Sequence, residues 1–232
     1  MYIDWTYVYM VLPAVLFALW ADRKVQGTYK KYRNQYNVKG ISGAQAARFV
    51  LDKNGLSHVA VEETPGTLTD HFDPSANVIR LSSDVFSGTS SAAVGVACHE
   101  AGHAVQHAEN YTPLVIRSAI VPITNFGSKL AVPLIILGLV LSSLSPIFTW
   151  LAYAGLICFA LCTFFQLVTL PTEFNASKRA LAAIEGGNLL EGEELEGARK
   201  VLKAAAMTYV AALAVSLAQL LRFVFIVGRR RD

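Results

Sequence analysis

The chain has little charge and few cysteines, and each shortage argues against a class of protein. Only 16% of the 232 residues are charged, whereas 53% are hydrophobic. A soluble domain carries about 25% charged residues, so this composition predicts a membrane protein. The three cysteines show neither a metal-ligand spacing nor a disulfide framework. A net charge of only +3 gives nucleic-acid binding little support.

Long apolar segments fill much of the remaining sequence, at residues 5–20, 119–144, 147–170 and 204–227. A membrane-spanning helix needs about 20 apolar residues, so the third and fourth segments are long enough and the first is short. In the second, we expect Lys129 and three helix breakers to restrict the span to residues 130–144: Pro122, Gly127 and Pro133. Alternatively, residues 120–129 lie along the membrane surface.

The distribution of basic residues predicts the orientation in the membrane. No Lys or Arg occurs in residues 1–9, so the first apolar segment is expected to be a retained anchor and not a secretory signal. Six basic residues at 23–39 follow it, and the positive-inside rule places them in the cytoplasm. The basic tail at 229–231 conflicts with this orientation if all four segments cross. Either one basic cluster is overridden, or Gln219 and Arg222 mark a last segment that does not cross fully.

The strongest motif is H-E-x-x-H, formed by His99, Glu100 and His103 in a proline-free stretch that Ser90 or Ser91 can cap. On a helix, residues i and i+4 share a face, so both imidazoles can bind one Zn²⁺. Glu100 then lies beside the metal as the predicted general base. Inside a helix, Gly102 is about 1 kcal/mol less favourable than Ala. Because glycine has no Cβ, we expect substrate or a neighbouring element to approach the backbone closely there.

A soluble segment at residues 40–117 is predicted to surround this motif, with a helix at 42–54 and a strand at 59–62. Residues 69–74 are expected to form a turn whose aspartates accept backbone N–H groups, although His71 could orient substrate or stabilise an oxyanion. The alternating sequence at 77–81 predicts an exposed edge strand that pairs with extended substrate: Asn77, Val78, Ile79, Arg80 and Leu81.

A catalytic zinc needs about three protein ligands, so a further donor is expected. His107 continues the histidine row, but it lies about 12 Å along the helix axis from His99. We therefore expect it to be a neighbour of the site. Glu173 is the better candidate, because a membrane hairpin returns the chain to the side it left. Ser177, one turn later, is placed to hydrogen-bond a ligand histidine.

Five stretches resemble the YugP-like neutral zinc metallopeptidases of bacterial membranes. They are L-T-D-H-F-D-P (68–74), V-I-R-L-S (78–82), A-C-H-E-A-G-H-A-V-Q-H (97–107), L-P-T-E-F-N-A-S-K-R-A-L (170–181) and A-A-A-M-T-Y-V-A-A-L (204–213). The resemblance implies a multipass membrane zinc endopeptidase of the gluzincin kind, with His99, His103 and Glu173 as ligands and Glu100 catalytic. A weaker likeness links the chain to heat-shock and CaaX-type membrane peptidases. Their glutamate motif commonly ends in Asp, where this chain has Ser177.

The sequence thus predicts a mainly α fold, a multipass helical membrane bundle with a small α+β zincin-like unit. The expected segments are an anchor (1–20), a soluble zincin-like segment (21–117), a membrane hairpin (118–170), third-ligand and amphipathic helices (171–203), and a membrane helix with a basic tail (204–232).

The predicted function is a zinc endopeptidase of the cell membrane that acts on membrane or membrane-near proteins, with its active site on the cytoplasmic side. Arg179 and His71 are the polar candidates for stabilising the oxyanion. The alternative is a zinc-binding membrane scaffold or adaptor without proteolytic activity. A channel is disfavoured because the spans lack paired charges. Besides peptide substrate and the lipid bilayer, a membrane-protein regulator or a second copy of the chain could be a partner.

Overall fold

The computed structural model describes residues 4–229, which are mostly helical and include one small sheet. In chain order the elements are a π-helical turn (Tyr7–Val11), α1 (Leu12–Tyr32), α2 (Gly43–Lys53), β1 (Ala60–Thr64), β2 (His71–Asp73), β3 (Val78–Ser82), α3 (Ser83–Phe86), α4 (Ser91–Ala108), α5 (Thr112–Leu141), a 3₁₀ turn (Pro146–Phe148), α6 (Thr149–Gly186) and α7 (Gly192–Gly228). The predicted fold class is confirmed.

Three helical stretches are long and apolar enough to cross a membrane: Thr112–Leu141, Pro146–Gly186 and Gly192–Gly228. Helix α5 passes through Pro122 and Pro133 without interruption, so the expected break in the second apolar segment is wrong. In an apolar environment backbone groups must be bonded within the protein. The hydroxyl of Thr124, two residues after Pro122, donates to the carbonyls of Ile120 and Val121, each at 3.0 Å.

The two ends of the chain bear on the predicted orientation. The apolar segment at 5–20 continues into α1 and is not among the three candidate spans of the described residues. Helix α7 continues through Gln219 and Arg222, and Arg222 forms an ion pair with Asp4. Of the basic tail, residues 230 and 231 lie outside the described residues.

The chain forms two compact units. Within the described residues, the first comprises those up to Trp20, Ile116–Leu170 and those from Tyr209 onward; the second comprises Ala21–Val115 and Pro171–Thr208. Each of the long helices α6 and α7 therefore contributes one part to each unit. The sheet and helices α2 to α4 belong to the second unit.

The core of the second unit is built from α2, the sheet, α4 and the second part of α6. Helix α2 begins at a capping box in which Ser42 accepts from the Gln45 backbone and Gln45 accepts from that of Ser42, as expected for the helix predicted at 42–54. Its apolar side packs with α4 around a fully buried set of side chains that includes Leu51, Ile79, Leu81, Val94, Ala101 and Ile184.

The strand order is β1-β3-β2, so the strand predicted as an exposed edge lies in the middle of the sheet. Strand β3 pairs in parallel with β1 and antiparallel with β2, and Asn77–Leu81 therefore do not form the substrate strand that we expected. The alternation of apolar and polar residues at 77–81 is misleading because Arg80 does not require solvent. Its charge is neutralised within the sheet by Asp73 at 2.8 Å and Glu62 at 3.6 Å. Val78, Ile79 and Leu81 are all buried.

The segment predicted as a turn at 69–74 contains β2, one edge of the sheet. Its aspartates accept backbone N–H groups as expected: Asp73 from Ser75 and Ala76, and Asp70 from Ser82. Burial raises the pKa of Asp70, against the opposing effect of its bonds with Ser82.

Two glycines of α4 allow other helices of the second unit to approach closely. A Cβ at Gly102 would lie 2.9 Å from the carbonyl oxygen of Ala176 in α6. A Cβ at Gly95 would lie 3.3 Å from the Cβ of Ala198 in α7. The close approach expected at Gly102 is thus made by α6.

We expect Gly102→Ala to destabilise the protein by about 1–3 kcal/mol, because the overpacking against a backbone carbonyl outweighs the gain in helix propensity. Gly27→Ala is the matched control, since a Cβ there would meet nothing within 4 Å in helix α1. The control should be neutral or stabilising. Thermal unfolding in detergent measures both, and an equal rise in Tm would contradict the close packing.

Candidate metal centre

Helix α4 presents the histidines of the H-E-x-x-H motif on one face. Its first turn is capped by Ser90, whose hydroxyl accepts from the Ala93 N–H at 3.1 Å, and the helix predicted for this motif is confirmed. The rings of His99 and His103 lie with their centroids 4.7 Å apart. One turn of helix thus brings the two imidazoles together.

Helix α6 brings a carboxylate to the same point. Glu173 is only 3% exposed, and its Oε2 lies 3.3 Å from Nε2 of His99 and 3.5 Å from Nε2 of His103. The donor atoms of the three residues all lie within 4.8 Å of one another. Two imidazoles and one carboxylate are a ligand set of catalytic zinc sites, and the convergence of these donors fits such an ion.

The other ring nitrogens are held by hydrogen bonds that leave both Nε2 atoms facing Glu173. Nδ1 of His99 lies 3.2 Å from Oγ of Ser177, the contact that the sequence suggested. Nδ1 of His103 lies 3.0 Å from Oε1 of Gln106. Such partners fix the tautomer and the orientation of metal-binding histidines.

Gln106 was missed in the sequence, although it follows His103 by three residues and so lies on a neighbouring part of the helix face. It is fully buried, and its amide nitrogen donates to the carbonyl of Thr172 at 2.8 Å and to Oδ1 of Asn175 at 2.9 Å. The amide is thereby oriented so that its oxygen accepts from His103. Asn175 was also missed, and nothing in the local sequence marks it.

Arg179 extends this chain of bonds to the surface. Its Nε donates to Oδ1 of Asn175 at 2.7 Å, and its two terminal nitrogens donate to Glu109 at 3.0 and 2.6 Å. Asn175 and Glu109 therefore engage the guanidinium of Arg179. This pairing restrains Asn175, a partner of Gln106, and does not favour the expected role of Arg179 as an oxyanion donor.

Glu100 lies beside the three candidate ligands and is oriented by the sheet edge. It is 9% exposed, and its Oε2 accepts from the backbone N–H of Phe72 in β2 at 3.1 Å. Burial would lower the pKa of His103, but the hydrogen bond to Glu173 and the charges of Glu100 and Glu173 outweigh it and raise that pKa. The site therefore favours positive charge between its carboxylates.

The two remaining histidines near the motif are not in the donor cluster. His71 is exposed, and its Nδ1 lies 2.8 Å from the carbonyl oxygen of Thr69. His107 is exposed, with its ring centroid 5.7 Å from that of Phe72. Among the described residues, the three-donor cluster consists of His99, His103 and Glu173.

The apolar helices are typical of a membrane protein, and the donor set is one that catalytic zinc sites use. Over residues 7–228 the chain matches the family described as "Putative neutral zinc metallopeptidase". It is 46% identical to "Putative membrane protease YugP" of Bacillus subtilis (strain 168) over 226 residues, which cover 97% of this chain and 98% of that relative. The chain belongs to this zinc metallopeptidase family, which confirms the resemblance seen in the sequence. No solved structure matches it.

We expect Gln106→Met to lower the zinc affinity of the purified protein about 10- to 100-fold, the range for loss of a hydrogen bond to a ligand histidine. The substitution removes the acceptor of His103 while keeping an unbranched side chain of similar length. Competition with a chromophoric chelator measures the affinity. Gln26→Met, on the exposed face of α1, is the control, and equal affinities in the two variants would contradict the role of Gln106.

Proposed function

We propose that the chain is a membrane-embedded zinc endopeptidase that hydrolyses peptide bonds of membrane or membrane-near proteins. The observation that carries this proposal is the placement of Glu100, a buried carboxylate held by the Phe72 N–H beside the convergent donors of His99, His103 and Glu173. A structural zinc site needs no such additional carboxylate. Membership in a metallopeptidase family supports hydrolysis as the reaction class.

His99, His103 and Glu173 would hold the zinc ion through two imidazole nitrogens and a carboxylate oxygen. Bound zinc supplies Lewis acidity, which activates water and polarises the peptide carbonyl. Glu100 accepts the proton of the attacking water and then donates it to the leaving amine. Because Oε2 accepts from Phe72, Oε1 is the oxygen available for this transfer.

Ser177 and Gln106 keep the ligand imidazoles in one tautomer. For each Nε2 to bind the metal unprotonated, Nδ1 must carry the proton, and Oγ of Ser177 and Oε1 of Gln106 are placed to accept it. The Arg179–Glu109 ion pair in turn restrains Asn175, and so the amide of Gln106. These bonds orient the two imidazoles that would bind the metal.

We further propose that α5, α6 and α7 each cross the membrane and that the active site faces the cytoplasm. The basic residues at 23–39 belong to the same compact unit as the donor cluster. The positive-inside rule places such a cluster on the cytoplasmic side.

We expect Glu100→Ala to lower peptide-bond cleavage by at least about 100-fold while the protein retains zinc, because a general base contributes about 10²- to 10⁴-fold. Cleavage of a model membrane protein by the detergent-purified enzyme, with and without a chelator, measures the loss. Glu63→Ala, at an exposed position of β1, is the control and should remain active. Full activity of Glu100→Ala would overturn the assignment.

We expect Glu173→Ala to lose most of its bound zinc, because two imidazoles without the carboxylate leave the site one protein ligand short. Metal analysis after gel filtration measures the content per chain. His107→Ala should keep its zinc, since His107 lies outside the donor cluster. The reverse pattern would make His107 the third ligand.

A further inference from the structure

A groove of about 530 Å³ lies between α6 and α7 in the second unit. Its walls are largely apolar and include Phe174, Leu181, Leu202 and Ala206. Phe174 is 46% exposed although it is a large aromatic side chain. The groove therefore offers an apolar surface that nothing in the described protein covers.

Two lysines give the groove an unbalanced positive charge. Lys178 lines it from α6 and Lys203 from α7, and both are exposed. Within residues 4–229 neither lysine forms an ion pair, whereas Arg199 in the same groove is paired with Glu185 at 2.6 Å. An anionic group between the lysines would find two donors without breaking an existing pair.

The position of the groove along its helices places the lysines close to the expected membrane surface. The apolar part of α6 ends at Leu170, and Phe174 and Lys178 lie about 6 and 12 Å further along the helix axis. On α7, Lys203 directly precedes the apolar segment at 204–227, and it lies about 9 Å before Tyr209, the first residue of this helix that belongs to the first unit. Headgroups occupy roughly the first 5–7 Å beyond the hydrocarbon, and lysine stems can extend back towards them.

We propose that this groove binds an anionic phospholipid, with the phosphate between Lys178 and Lys203 and apolar lipid atoms against Phe174 and Ala206. A basic pocket between apolar helices is typical of sites for anionic headgroups, and the exposed ring of Phe174 offers an apolar contact surface in the same groove. An acidic peptide would match the charges equally, but it would not account for an apolar wall at the end of the groove nearest the apolar segments. Ser177 also lines the groove, so the lipid would lie beside the side chain that contacts His99.

The test uses the full chain in nanodiscs and does not depend on peptidase activity. Native mass spectrometry after release into detergent counts retained lipid at increasing fractions of phosphatidylglycerol in phosphatidylcholine. We expect saturable binding of one phosphatidylglycerol, with an affinity roughly 10- to 30-fold weaker in K178Q/K203Q. Each lysine near an anionic surface strengthens binding by about three- to fivefold, and the double variant loses both contributions. K24Q/K30Q removes the same charge from exposed positions of α1 and should change the affinity of this site less than threefold.

Equal losses in the two double variants would overturn the proposal, because the attraction would then be a general effect of net charge. Retention of phosphatidylcholine as strong as that of phosphatidylglycerol would also overturn it.

A third arm measures binding of a fluorescent oligoglutamate peptide in phosphatidylcholine nanodiscs. Tight binding that K178Q/K203Q abolishes, without a preference for anionic lipid, would assign the groove to an acidic peptide. Zinc content should be unchanged in K178Q/K203Q, so failure here is separable from failure of the peptidase assignment.

Discussion

The candidate metal centre depends on the close approach of α4 and α6. A side chain larger than hydrogen at Gly102 would collide with the backbone of α6 at Ala176. Since Ala176 lies one turn beyond Glu173, this approach places the carboxylate against the histidines of α4. The glycine costs helix stability, about 1 kcal/mol relative to Ala, and that cost is offset by packing that a larger residue would prevent. The same contact supplies the third donor and sets its distance from the other two.

A second constraint is that the polar groups around the site are bonded to one another. The amide of Gln106 is fully buried, yet its oxygen and nitrogen both have partners. An unpaired buried amide would cost about 1–3 kcal/mol, so these partners remove a substantial penalty. Its outer end is the ion pair of Arg179 with Glu109, which is partly exposed and contributes little by itself. Its value is geometric, because it restrains Asn175 and through it the imidazole of His103.

Helix α6 contains both a candidate membrane span and a residue of the candidate metal centre. Helix α6 includes an apolar stretch and then Glu173, and it passes through Pro171 without ending. A single helix therefore carries both a candidate membrane span and a candidate metal donor. In α5 the two prolines are likewise accommodated within one helix, because backbone groups in an apolar environment are driven to bond within the chain. Proline marks a helix end far less reliably in such segments than in a soluble domain.

The sequence by itself determined what depends on local spacing. Helical periodicity places His99 and His103 on one face, the serine caps set where α2 and α4 begin, and composition identifies the apolar segments. The tertiary structure decided what depends on pairing between distant segments. Strand β3 lies inside the sheet because β1 and β2 both pair with it, and alternation cannot distinguish an edge strand from one whose arginine is neutralised by neighbours. Gln106 and Asn175 gain their roles only when α4 and α6 meet, since a hydrogen bond between residues 69 positions apart leaves no periodic trace in the sequence.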